Sequence, residues 1–345
     1  MSDVSFSSLR STSRFTRQFN LTCPIALAPM AGAAGGALAA ACAQAGALGL
    51  VGGGYGDLDW VQTEYNKAFE SCEPEAHSRL GIGFITWRLQ QEASALDWVL
   101  DQAQRPAAVM FSFGDSRAFA AKVRAAHIPL ICQVQRLDQL PMAIEAGATV
   151  IVAQGGEAGG HGMNSQMARG TFTLVPEVAD WLVKHSPETL LLAAGGVADG
   201  RGLAAAQLLG ADGAVIGSRL WVTKECLAPN SAKAQSVSAH GDQTARSSVF
   251  DVLRSLDWPH PYDFRALRNE IHRQWEHQVA ELKHYPDHAR QDYVEGLAQE
   301  DYTRAHVTVG EATGLIHDIP SAADCIRQIA TESDRLLKGQ HTPHG

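Results

Sequence analysis

Cysteine pairs are the first thing missing from this 345-residue sequence. Its six cysteines, Cys23, Cys42, Cys72, Cys132, Cys226 and Cys325, are scattered, and no two form a CxxC pair. That argues against a zinc or disulfide framework and points to reduced thiols in a cytosol-like (cytoplasmic) compartment. Long apolar runs are missing too: glycine or charge interrupts each one before the roughly 18 residues that a membrane span requires. Positive charge is in deficit, with 28 Lys and Arg against 37 Asp and Glu, a net −9. Nucleic acid and acidic membrane surfaces therefore meet no attractive field, and neither is expected as a partner. A metal site is not expected either. His284 and His288 are spaced like two helical ligands, but Pro286 lies between them and no third ligand is near.

Glycine, by contrast, is plentiful at 32 residues, and it is clustered. From Cys23 to about Leu220 one rhythm repeats. A short apolar run ends in glycine or a small polar residue, and a helical pattern rich in alanine and leucine follows. The apolar runs cover 25–29, 48–53, 80–85, 107–113, 128–134, 149–153, 190–194 and 213–216. Helical stretches are expected at 36–45, 92–102, 117–126, 137–145, 176–185, 201–209 and, at the end, 322–337. Runs this continuous suit strands buried on both faces, as parallel strands are under covering helices. Eight such units are the complement of a TIM barrel, a (β/α)8 fold of the α/β class, with a doubly wound sheet as the alternative.

Two connections exceed simple barrel loops. Residues 155–175 follow the sixth run and are glycine-rich. Residues 221–308 follow the eighth and read as a helical excursion packing on the barrel, including a helix over 264–282. The barrel then comprises 23–220 and 309–340. Residues 1–22 carry Arg10, Arg14 and Arg17 with one acid, Asp3. They read as a basic, partly ordered leader, with a mitochondrial presequence as the alternative.

Active sites of barrels lie at the carboxyl ends of the strands, and phosphate sites at the loops after strands seven and eight. Gly195 and Gly196 end the seventh run; Gly217 and Ser218 end the eighth. Glycine there lets backbone N–H groups approach an anion. The segment Gln154 to Gly162 sets five glycines around Glu157 and His161. Such a loop can lie against a flat ligand and present an imidazole, the side chain whose ordinary pKa suits proton transfer near neutrality. Glu157, four residues before His161, either orients that imidazole or faces solvent.

Four segments together resemble the nitronate monooxygenases, also called 2-nitropropane dioxygenases: 24–32 (PIALAPMAG), 154–162 (QGGEAGGHG), 194–197 (AGGV) and 213–219 (GAVIGSR). The resemblance runs from about Cys23 to Ser218 and resumes at 309–320. It implies one FMN per barrel, the flavin ring near Pro29 and Met30 with Gln133 and Gln154 as polar contacts. It further implies a phosphate on the backbones of Gly195, Gly196, Gly217 and Ser218, with Gly160 passing close to the cofactor. His161 would face the reactive side as the catalytic residue. The implied reaction is oxidation of alkyl nitronates, and of nitroalkanes where these are accepted, with O2 to a carbonyl compound and nitrite. The segment 81–87 (GIGFITW) lies closer to a fungal-type subgroup than to many bacterial members. Two alternatives stay open on the same fold: an NAD(P)H-dependent flavin reductase acting on a quinone or enoyl substrate, and a non-enzymatic flavin-binding protein.

Overall fold

The computed structural model describes residues 13–340. Eight parallel strands form the central sheet: β1 (Ile25–Leu27), β2 (Gly49–Gly54), β3 (Leu80–Ile85), β4 (Val109–Ser112), β5 (Leu130–Val134), β6 (Val150–Gln154), β8 (Leu190–Ala194) and β9 (Gly213–Ile216). They run in the order β1-β9-β8-β6-β5-β4-β3-β2. The ring closes between its two ends, where Leu27 N–H donates to Leu48 O at 2.8 Å and Leu48 N–H to Ile25 O at 2.9 Å. This is the TIM barrel, and all eight apolar runs supply its strands.

Side-chain alternation explains why those runs are continuous. Val150 and Val152 point into the barrel beside Leu48, Leu50, Met110, Ile131 and Leu192. Their neighbours Ile151 and Ala153 pack outward with the helices. Successive strand residues face opposite sides, so a strand covered on both sides is apolar throughout.

Residues 13–22 are more ordered than the leader reading held; residues 1–12 lie outside the described part. Ser13 caps a short helix, Arg14–Gln18. Phe15, Phe19 and Leu21 from this segment join the barrel-interior cluster, and Phe15 is fully buried. The Arg14 guanidinium pairs with both Asp212 oxygens at 2.8 and 2.9 Å.

The excursion after β9 is mainly helical but carries two strands as well, β10 (Thr244–Ser247) and β11 (Tyr262–Leu267). The helix expected over 264–282 is thus corrected. Its first residues belong to β11, and two short helices, Glu270–Trp275 and Val279–His284, follow. β11 pairs antiparallel with β10 and with β7 (Gly160–Met163), which lies outside the barrel in the glycine-rich loop after β6. The excursion has its own apolar core, including Val249, Phe250, Leu253, Phe264, Ile271 and Tyr293. No helix among the described residues is long and apolar enough to cross a membrane.

Candidate active site

One cavity at the carboxyl ends of the barrel strands is lined by Pro29, Met30, Gln133, Gln154, Gly160, His161, Gly195, Gly196, Gly217 and Ser218. Every site residue expected from the sequence therefore meets at one place. The turn after β1 sits low over its neighbours because glycine makes room for it: a Cβ on Gly83 would lie 2.4 Å from Cγ of Pro29.

The glycine loops fit a phosphate. Gly195 and Gly196 have φ of +95° and +77°, a left-handed backbone that glycine adopts without steric cost. Among the described residues, no acceptor pairs with the N–H groups of Gly195, Gly196, Gly217 or Ser218. Two adjacent loops thus present unpaired donors to the same cavity, the arrangement that holds phosphate at the strand ends of this fold.

His161 is held from several sides. In the β7–β11 register it stands opposite Phe264. The guanidinium of Arg246 donates to the carbonyls of Gly160 (3.0 Å), Asp263 (2.7 Å) and Ala158 (2.6 Å). Arg265 reaches the Gly156 carbonyl at 3.2 Å and pairs with Glu311 at 2.9 Å. The Gln154 amide, which accepts from Gln133 and Gln135, donates to the His161 carbonyl at 3.2 Å. A loop that is glycine-rich in sequence is consequently fixed in space.

The imidazole stacks on the Trp258 indole, ring centroids 3.4 Å apart and planes 12° from parallel. Its Nε2 lies 2.8 Å from Oδ1 of Asp251. Both side chains are almost fully buried, at 8% and 3% exposure. Burial, followed by the charges of Arg254 and Arg246, holds His161 well below the ordinary histidine range. Burial pushes the Asp251 carboxyl up to about 7, against the pull of Arg254 and Lys283. Near neutrality the imidazole is uncharged. With Asp251 ionised, Nε2–H donates to it and Nδ1 is left as an acceptor, with no partner among the described residues.

Glu157 does not orient His161. Its carboxylate accepts from the Thr171 N–H at 2.8 Å and the Thr171 hydroxyl at 2.9 Å, at the start of the helix Thr171–His185. There it satisfies an unpaired amide and complements the helix dipole. The partner that sequence reading missed, Asp251, belongs to the excursion, as do Arg254, Trp258, Phe264 and His306 of the cavity wall. In the sequence Tyr262, Phe264 and Ala266 alternate with Asp263 and Arg265, which was the available signal for a strand there.

A sequence profile of the family described as nitronate monooxygenase matches residues 59–332. The chain is 32% identical over 335 residues to nitronate monooxygenase npaC of Metarhizium robertsii, covering 90% of each chain. It is 30% identical over 348 residues to the nitronate monooxygenase of Neurospora crassa, covering 90% of this chain and 89% of that one. Among solved structures, FabK from Thermotoga maritima superposes with a TM-score of 0.78 at 25% identity, covering 95% of this chain and 98% of that one. With strands, cradle and histidine in place and a profile that spans most of the sequence, this chain belongs to the nitronate monooxygenase family of flavin-dependent oxidoreductases.

Proposed function

We propose that the protein binds FMN and oxidises alkyl nitronates with O2 to a carbonyl compound and nitrite, with His161 as the residue that acts on the substrate. The observation that carries this reading is a buried imidazole, paired to a buried carboxylate, beside unpaired backbone donors suited to a terminal phosphate. Gly195, Gly196, Gly217 and Ser218 would hold that phosphate; Pro29, Met30, Gln133, Gln154 and Gly160 would border the ring. Bound FMN would supply a redox centre that exchanges single electrons with the substrate and with O2, whose oxygen ends in the carbonyl product. Two nitronates and one O2 balance two carbonyl compounds and two nitrites.

The chain's own groups do the rest. A neutral nitroalkane has to lose its α-proton before it can be oxidised, and Nδ1 of His161 is the acceptor available for it. The imidazolium so formed is stabilised by the Asp251 carboxylate on Nε2, as a buried acid steadies a catalytic histidine elsewhere. A preformed nitronate has no such proton to lose, so its oxidation does not call on His161 as a base. Phe113, Trp258 and Phe264 crowd the imidazole with aromatic faces and limit water around it.

The test is anaerobic mixing of the purified yellow protein with propane-2-nitronate, NADH and NADPH in separate runs, after mass analysis of the released flavin. FMN bleached by the nitronate and not by the nicotinamides is expected. Rapid bleaching by NADH or NADPH alone would replace the monooxygenase reading with the reductase one. FAD in the mass analysis would overturn the FMN assignment.

A further inference from the structure

The cavity wall contains a cation that the proton transfer above does not use. Arg254 follows directly on the short helix Val249–Leu253, three residues after Asp251. Its guanidinium carbon lies 5.1 Å from the centroid of the Phe264 ring, which also packs against the His161 ring at 4.8 Å. Arg254 itself lines the cavity.

Its bonding contrasts with that of the other inward arginines. Arg246 gives both Nη atoms to backbone carbonyls and leaves only Nε unpaired, Arg265 pairs with Glu311, and Arg219 with Asp318. Arg254 forms no salt bridge among the described residues. It contacts the Tyr55 hydroxyl, yet Nη1 is buried without any hydrogen-bond partner. A buried donor left unmade is costly, and such orphans in a native fold call for a ligand or another explanation. A guanidinium is planar, permanently charged and shaped for two coplanar oxygens. The neighbouring ring of His161 is uncharged at neutral pH, and Asp251 is committed to it. Arg254 is accordingly the group with charge and a donor to spare.

We propose that Arg254 is the substrate's anion-binding residue: the cavity takes its substrate as a planar two-oxygen anion, and the Arg254 guanidinium holds one of those oxygens. Resting on the nitronate reading, the anion is the nitronate group itself. Arg254 then makes the site selective for the ionised over the neutral nitro compound, a discrimination that His161 by itself does not provide.

The experiment uses flavin-loaded protein and nitrate, an unreactive planar oxyanion, titrated by calorimetry and by the flavin absorbance. Wild type, Arg254→Met and Arg254→Lys are compared at equal flavin content. One charge-assisted hydrogen bond corresponds to roughly a 10- to 100-fold change in affinity. Nitrate should therefore bind Arg254→Met about that much more weakly, with Arg254→Lys in between. The KM for propane-2-nitronate should rise by a similar factor in Arg254→Met, while that for neutral 2-nitropropane stays within about twofold. Equal nitrate affinity in wild type and Arg254→Met overturns the anion site. Arg254-dependent nitrate binding in a protein that does not turn over propane-2-nitronate upholds the anion site and overturns its assignment to the nitronate group. A KM that rises equally for charged and neutral substrates also overturns that assignment.

Discussion

Nε2 of His161 lies 2.8 Å from Oδ1 of Asp251, a residue ninety positions further along the chain. The excursion is therefore part of the candidate active site, since it brings the carboxylate that pairs with the His161 ring.

That relationship sets a pH dependence. Asp251 is pushed up to about 7 by burial. Above that pH its carboxylate accepts Nε2–H and Nδ1 is free to take a proton. Below it, the protonated carboxyl donates to Nε2, the ring proton sits on Nδ1, and the base is lost. For neutral nitroalkanes, kcat/KM should rise with pH through about 7, a limb that Asp251→Asn abolishes. The variant should keep its flavin and lose roughly 10²-fold at pH 8, the lower end of what general-base catalysis contributes. If Asp251→Asn keeps the pH limb of the wild type, the residue serves packing only.

The phosphate cradle is tested at Gly217 by two substitutions. A Cβ there would meet Cβ of Ala28 at 3.6 Å and Sδ of Met30 at 3.8 Å, both ordinary contacts. Gly217→Ala should thus retain flavin. Gly217→Asp sets a carboxylate beside the donors meant for the phosphate and should purify colourless or nearly so. Absorbance at the flavin band per mole of chain is the readout, and equal flavin in the two variants would remove these loops from the cofactor site.

Phe15 closes the barrel interior from below, fully buried among Leu48, Met110, Val150 and Leu190. Truncating a buried phenylalanine to alanine costs about 3–5 kcal/mol. Phe15→Ala should shift the urea midpoint clearly downward while leaving the flavin spectrum of the folded protein unchanged. An unmoved midpoint would mean that residues 13–22 are an ornament on the barrel.

What could be read from the sequence divides along the range of the interactions. Barrel strands such as 150–154 were visible because burial on both faces makes them apolar residue after residue. His161 and the glycines at 195, 196 and 217 were visible because local composition alone marks them. Asp251, Arg254 and Trp258 were not, because their place depends on β11 pairing with β7 across about a hundred residues. The segment 262–267 alternates correctly for a strand, yet its charged surroundings read as helix. The two phenylalanines of residues 13–22, four apart on one helical face, were masked by the arginines and serines between and before them.

The most direct test compares His161→Asn with wild type on one nitro compound in two forms, neutral 2-nitropropane and preformed propane-2-nitronate, with flavin content measured on the same samples. The substitution should leave the flavin bound, because His161 lines the cavity without belonging to the loops that present the phosphate donors. It should lower kcat/KM for the neutral form by about 10²–10⁴ and affect the nitronate far less. Equal, large losses on both forms with flavin intact, or loss of the flavin itself, would contradict a histidine that takes the substrate's proton.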